Sequence, residues 1–173
     1  MVDRVNNPIL KYLENCTIRL RPTNNEDCGL LWEWANDPEV RAASFNSEPI
    51  PWEAHTNWFK KKLQDPNSYI FIAIDLHDRP IGQVRFDRND EDAVISINIA
   101  PNKKGLGFGF STLIKGLDFV FSETAIQKVH AFIKLDNHAS IRIFEKASFK
   151  KLGIKIVKNS SALHYLKQKD LDC

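Results

Sequence analysis

Little in this chain commits it to a special environment. Its three cysteines, Cys16, Cys28 and Cys173, are odd in number and none belongs to a Cys-x-x-Cys spacing, which argues against a disulfide framework and a zinc site. They read as ordinary reduced thiols, and no metal is expected. No apolar run approaches the roughly 20 residues of a membrane-spanning helix. The opening MVDRVNNPILKYLENC has acidic residues and no signal-peptide core, so the expected setting is the cytoplasm, without a membrane partner. Net charge is missing as well: 24 Lys and Arg against 22 Asp and Glu leave +2, which removes any global pull toward nucleic acid. An anion site must therefore be local. Repeats, low-complexity tracts and linkers are absent, and 173 residues with 43% hydrophobic content suffice for one sizeable core but not for two. Glycine is scarce, and three of the chain's seven glycines stand at alternate positions in PNKKGLGFG, Pro101 to Gly109.

What is present is a sequence of period changes. Residues 1–15 read as an N-terminal extension, 16–168 as a single domain and 169–173 as a tail. Cys16 to Arg21 alternates as a strand, and Asn24 or Asn25 can cap a helix carrying Leu30, Leu31 and Trp34 until Asp37-Pro38 stops it. Arg41 to Pro49 reads as loop, and Pro51 opens a second helix through Trp52, Trp58, Phe59 and Leu63. The period then becomes two in Tyr69–Leu76, Ile81–Asp87 and Ala93–Ala100, a three-strand meander. Phe108–Ser122 is helical, Val129–Ile133 a strand, Ala139–Ala147 a helix capped by Asp136 or Asn137, and Lys151–Val157 with Ala162–Leu166 a closing hairpin. The order implies an α/β fold, a mixed sheet with helices on its faces, and ligands gather in such sheets where strand ends meet helix starts.

The glycine run falls at such a junction. It reads either as a flexible turn or as an anion cradle, in which positive backbone dihedrals and the N-terminus of the following helix aim several N–H groups at one phosphate. It is neither a Walker loop, since Phe110-Ser111 follows Gly109, nor a dinucleotide fingerprint.

Lys104-Gly105-Leu106-Gly107-Phe108-Gly109 is similar to the Arg/Gln-x-x-Gly-x-Gly/Ala loop of the GNAT N-acetyltransferases, with Lys104 in first position. The preceding SINIAP, the downstream NHASIRIFEKASF and the element order from Cys16 to Leu166 agree with that family. The resemblance implies the GNAT fold, a central sheet of about seven strands flanked by about four helices, with acetyl-CoA as donor. Pyrophosphate would lie on the amides from Leu106 through Gly107, Phe108, Gly109 and Phe110 to Ser111, supported by Lys104 and Gly105. Pantetheine would pair with Ile97, Ile99 and Ala100, and the N–H near Ile99 would face the developing oxyanion. Asn137, Ser140 and Phe144 would touch the coenzyme arm. Phe144 stands where many relatives have a tyrosine acid, and Ala93 or Val94 where some have a carboxylate, so no base is carried over from the family.

The remaining groups fall on the acceptor side. His55 in WEAH is the candidate base by its unperturbed pKa, with Glu53 beside it. Gln83, Arg85 and Asp87 share one strand face. WEWANDPEVRAASFNSEPIPWEAHTNWF and GQVRFDR resemble acetyltransferases of bacterial nonulosonic-acid pathways, which acetylate the 4-amino group of a UDP-linked aminodeoxy sugar. On that resemblance Arg41, Phe45, Asn46 and Arg85 are acceptor contacts, the arginines for a diphosphate. A protein N-terminal acetyltransferase, sharing Trp-x-Asn-Asp-Pro-Glu-Val, and a non-catalytic acyl-CoA-binding module are the competing readings, and a homodimer is left open. A cationic cleft near Arg41 and Arg85 favours the sugar, an acidic groove the peptide.

Overall fold

Alternating apolar residues build one seven-stranded sheet. In the computed structural model, which describes residues 18–170, its strands are β1 (Arg19–Pro22), β2 (Ser68–Ile74), β3 (Pro80–Asn89), β4 (Asp92–Ile99), β5 (Lys128–Lys134), β6 (Lys150–Val157) and β7 (Ser160–Gln168), in the order β1-β2-β3-β4-β5-β7-β6. Five helices cover it: α1 (Cys28–Ala35), α2 (Pro38–Ala43), α3 (Trp52–Gln64), α4 (Phe108–Glu123) and α5 (His138–Lys146). The meander, the strand after α4 and the final hairpin occur in the expected order. The N-terminal extension, the first two residues of the expected first strand, Cys16 and Cys173 lie outside the described residues.

Period two divides the core. Val84 and Phe86 of β3 point toward Leu113, Leu117 and Val120 of α4 and Phe144 of α5. Ile70, Ile72 and Ile74 of β2 pack against Leu31 and Trp34 of α1 and Phe59 of α3. Each such side chain, taken out of water, contributes about 1.5–3 kcal/mol. At Gly116 a Cβ would stand 3.1 Å from the Phe86 ring and 3.2 Å from Val84, so α4 lies directly on the sheet.

Two departures from expectation have local causes. Helix α2 occupies Pro38–Ala43, part of which was expected as loop, and it makes the helix count five rather than about four. Asp37-Pro38 ends one helix but also starts another: Pro38 suits a first helical position, and the Asp37 carboxylate accepts from the Val40 N–H at 3.2 Å. The β6–β7 turn is also tighter than expected. Val157 pairs with Ser160, leaving Lys158 and Asn159, both at positive φ (47° and 63°), as twisted two-residue hairpins require.

The feature that positions the site is a failure of pairing. β4 and β5 run parallel and keep register only at Asp92–Lys128, Ala93–Val129 and Val94–His130. Beyond Val94 they part, and from Ile95 to Ile99 β4 is paired with β3 alone.

Candidate active site

A cavity of about 1310 Å³ opens where β4 and β5 part. Ile95–Ile99 forms one wall and Ala131–Ile133 the other, the glycine loop and the start of α4 form one end, and α1, α2, α3, α5, β3 and the segment after α2 contribute further lining. The free edge of β4 thus offers backbone N–H and C=O groups to whatever enters.

Gly105 and Gly107 adopt φ of +72° and +88°, and a Cβ at either would meet nothing within 4 Å. Backbone dihedral, not crowding, requires glycine here. Gly107 is the residue before α4, whose first-turn N–H groups, at Phe108, Gly109 and Phe110, have no carbonyl one turn back and lie at the positive end of the helix dipole. Around them the sequence reading missed a set of cations: Lys103, Lys115, Arg142, Lys146 and Lys158 all line the cavity, and the Lys146 ammonium sits 4.3 Å above the Phe110 ring. Cations spread over two helices, the segment before the glycine loop and the β6–β7 turn leave no local motif to read.

Lys104 differs from its expected role. Its ammonium donates to Asp37 at 2.6 Å and Glu39 at 2.9 Å. Burial would lower its pKa, but these two carboxylates raise it above the ordinary lysine value. Its charge is engaged by α2 and is not free for an anion on the loop.

On α5, the Asn137 side chain accepts from the Ser140 N–H at 3.1 Å, so Asn137 caps the helix while both residues line the cavity. Phe144 is 3% exposed and meets Phe149 edge-on at 4.9 Å between centroids, also on the lining. Tyr165 is buried and donates to Glu145 at 2.8 Å; burial and that carboxylate push its hydroxyl up to about 12. No tyrosine lines the cavity among the described residues.

On the acceptor side Gln83 and Arg85 of β3 stand opposite Asn98 and Ser96 of β4, and all four line the cavity. Arg85 donates from Nε to Asp87 (2.9 Å) and through a terminal nitrogen to Ser96 Oγ (3.3 Å), with its guanidinium carbon 5.1 Å over Trp58. Asp87 also accepts from Lys62 at 2.6 Å and Ser68 at 3.2 Å. Its burial, which would raise its pKa, is outweighed by these partners, so its carboxyl is held below the usual range. Ser96 and Asn98 are the polar positions of SINI, whereas Trp58 stands in sequence among the apolar positions of its helix.

Several expected site residues have other placements. Glu53, Asp87, Ala100 and the Phe108 side chain do not line the cavity. Glu53 is exposed on α3, Asp87 reaches the cavity only through Arg85, Ala100 packs under α1, and Phe108 packs with Ile18 and Ile81. Arg41 lines the cavity with Phe45 and Asn46, but its guanidinium donates to the carbonyls of Ala35 and Asn46 and to Ser44 Oγ, fastening the chain between α2 and α3. His55 is 3% exposed, among Trp52, Trp58 and Phe59 at 6.3, 5.4 and 6.0 Å. Its Nε2 lies 3.0 Å from the Cys28 carbonyl, so Nε2 carries the hydrogen and Nδ1 alone can accept. Burial holds its pKa below the ordinary imidazole value.

Among the described residues no group of three or more His, Cys, Asp or Glu is placed to hold a metal ion, and no helix is long and apolar enough to cross a membrane.

Comparison with known proteins agrees with this geometry. A family model described as "Acetyltransferase (GNAT) domain" matches residues 17–150. The SPbeta prophage-derived uncharacterized N-acetyltransferase YokL of Bacillus subtilis is 29% identical over 145 residues, 81% of this chain and 78% of that protein. The chain spans only 30% of the length of an uncharacterized Methanocaldococcus jannaschii protein to which it is 27% identical over 147 residues. Among solved structures, Vibrio cholerae spermidine N-acetyltransferase in complex with CoA and spermine superposes with a TM-score of 0.80 at 19% identity, covering 88% of this chain and 95% of that one. Aminoglycoside acetyltransferase AAC(6')-Ib with coenzyme A and kanamycin gives 0.77 at 18% identity, covering 88% and 95%.

Proposed function

The chain belongs to the GNAT acetyltransferases, and from that premise we propose that it transfers acetyl from acetyl-CoA to the amine of a nucleotide-linked amino sugar. The observation that carries the donor half is the parting of β4 from β5 beside a glycine loop held at positive φ. These residues fit the coenzyme. The backbone from Leu106 to Ser111 would take the pyrophosphate, with Lys103, Lys115, Arg142 and Lys146 as neighbouring positive charge. The open edge of β4 at Ile97 and Ile99 would take the pantetheine amides as an added strand does. Asn137, Ser140 and Phe144 would line the arm.

Transfer requires a neutral amine to attack the thioester carbonyl, so that a C–N bond forms as the C–S bond breaks and the amine loses a proton. An N–H near Ile99 would stabilise the oxyanion that develops. The proton leaves to water or to Nδ1 of His55, the one nitrogen of that ring left to accept. Phe144 offers no acid to the departing sulfur. A thiol of ordinary pKa, about 8.5, lies near enough to neutrality that this omission costs about 2 kcal/mol.

The acceptor half rests on charge. Glu39 is the one acidic side chain on the lining among the described residues, and it is paired with Lys104. Arg41 and Arg85 face the acceptor side without an unpaired carboxylate beside them. A polycation such as spermine would find on the lining only Glu39, which already shares Lys104 with Asp37, whereas a nucleotide sugar carries one amine and an anionic diphosphate. Phe45, Asn46, Gln83, Ser96 and Asn98 would meet its ring and hydroxyls.

The test is direct: purified protein is incubated with acetyl-CoA and, separately, a UDP-linked 4-amino sugar, spermine or an N-terminal peptide library, and products are weighed by mass spectrometry. One added acetyl group on the sugar is expected. Acetylation of spermine or peptides with the sugar untouched overturns the acceptor assignment.

A further inference from the structure

Helix α2 has no buried residue and only six residues in all, too few to persist on its own in water. Its place depends on the Arg41 bonds to Ala35, Asn46 and Ser44 and on ties at its ends. At the N-terminal end, Asp37 accepts from both the Val40 N–H of α2 and the Lys104 ammonium of the glycine loop, and Glu39 on the first turn takes the same ammonium. At the C-terminal end, Lys134, the last residue of β5, donates to the Ala42 carbonyl at 2.7 Å. Lys104 follows β4 and Lys134 ends β5, so α2 is fastened across the mouth left where these two strands part. Val40, Arg41 and Ala43 of α2 line the same cavity as the loop residues Gly105 and Gly107.

Resting on the proposed donor site, we infer that Lys104 is a positioning residue rather than a phosphate ligand: it couples the coenzyme loop to α2, so that coenzyme seated on the loop orders the acceptor wall. The Lys104–Asp37 contact is made by a half-buried lysine and a largely buried carboxylate, with side-chain exposures of 29% and 16%. Such a charge-assisted bond is stronger than an ordinary surface pair. An ammonium already shared by two carboxylates adds little to a pyrophosphate held by backbone amides. It does transmit the loop's position to the residue that caps α2.

The experiment combines CoA binding by calorimetry with amide hydrogen exchange in wild type, Lys104→Met and Lys104→Arg. In wild type, CoA is expected to slow exchange both at 105–111 and at 38–43. In Lys104→Met the affinity for CoA should change by no more than about threefold, protection at 105–111 should persist, and protection at 38–43 should be lost; Lys104→Arg should restore it. Glu39→Gln, an exposed change that leaves the fold intact, should lose part of it. A loss of CoA affinity of about thirtyfold or more in Lys104→Met, or undiminished protection at 38–43, overturns the coupling. Failure of wild type to bind CoA at all would instead remove the donor site on which the coupling rests.

Discussion

His55 shows how one residue's burial becomes a property of the whole chain. Its imidazole is held neutral among aromatic rings with Nε2 donating to the Cys28 carbonyl, and burial lowers its pKa in the folded state. Between that lowered value and the unfolded value near 6.5, the unfolded chain binds more protons, so stability rises with pH through this window and falls as pH drops below about 6.5. His55→Phe is expected to flatten that dependence, measured as the change in denaturation midpoint between about pH 5 and about pH 7.5. His164, whose pKa is likewise lowered, by burial, by Lys155 and by His130, contributes to the slope that remains. An undiminished slope in the variant would show that His55 is not the buried neutral group described. The residue scale is also where sequence reading was weakest. Arg41, His55, Arg85 and Lys104, polar groups picked out in the sequence, all line the cavity. Their hydrogen-bond partners were invisible, since Lys104 meets Asp37 across 67 residues of chain and His55 meets Cys28 across 27.

At the scale of elements, period and punctuation carried most of the information. The meander β2–β4, the helices α3, α4 and α5 and the final hairpin follow from alternation, apolar spacing and turn residues. α2 could not be read that way: with no buried position it has no apolar stripe, and its only signal was Asp37-Pro38. The parting of β4 from β5 was equally hidden in composition, because the end of a ladder is a relation between two strands. Only the resemblance of the glycine loop, which implies pantetheine pairing along Ile97, Ile99 and Ala100, points to an open strand edge there. Where α4 crosses β3, Gly116 sets the distance between helix and sheet, with Phe86 and Val84 in the way of any side chain. Phe86 and Val84 are fully buried and have little room to yield, so Gly116→Ala is expected to destabilise, overpacking of about 1–3 kcal/mol outweighing the roughly 1 kcal/mol that alanine gains over glycine in a helix, read from urea denaturation. A neutral or stabilising result, as expected for an ordinary helical glycine with open space, would mean that the helix–sheet spacing is not set there.

At the scale of the whole molecule, a net charge of +2 conceals a strongly uneven distribution. Lys103, Lys115, Arg142, Lys146 and Lys158 converge on one cavity, while acidic side chains near its rim, Asp37 and Glu39, are engaged by Lys104. Two consequences follow for a donor carrying several phosphates. CoA at about one hundred times its dissociation constant should stabilise the fold by about 2.7 kcal/mol, seen as a rise in melting temperature. That rise should shrink at fixed CoA as salt increases toward about 1 M, where the screening length falls to about 3 Å. A salt-independent rise would place the coenzyme's phosphates away from this cluster.

If the glycine loop at the parted strands takes the coenzyme's pyrophosphate, calorimetric titration of CoA should separate wild type from Gly107→Asp. The substitution places a negative charge and a side chain at φ +88°, beside the N–H groups meant for the anion. Wild type is expected to bind CoA at one site and the variant at least about a hundredfold more weakly. Equal affinity in the two proteins would show that the pyrophosphate does not lie on this loop.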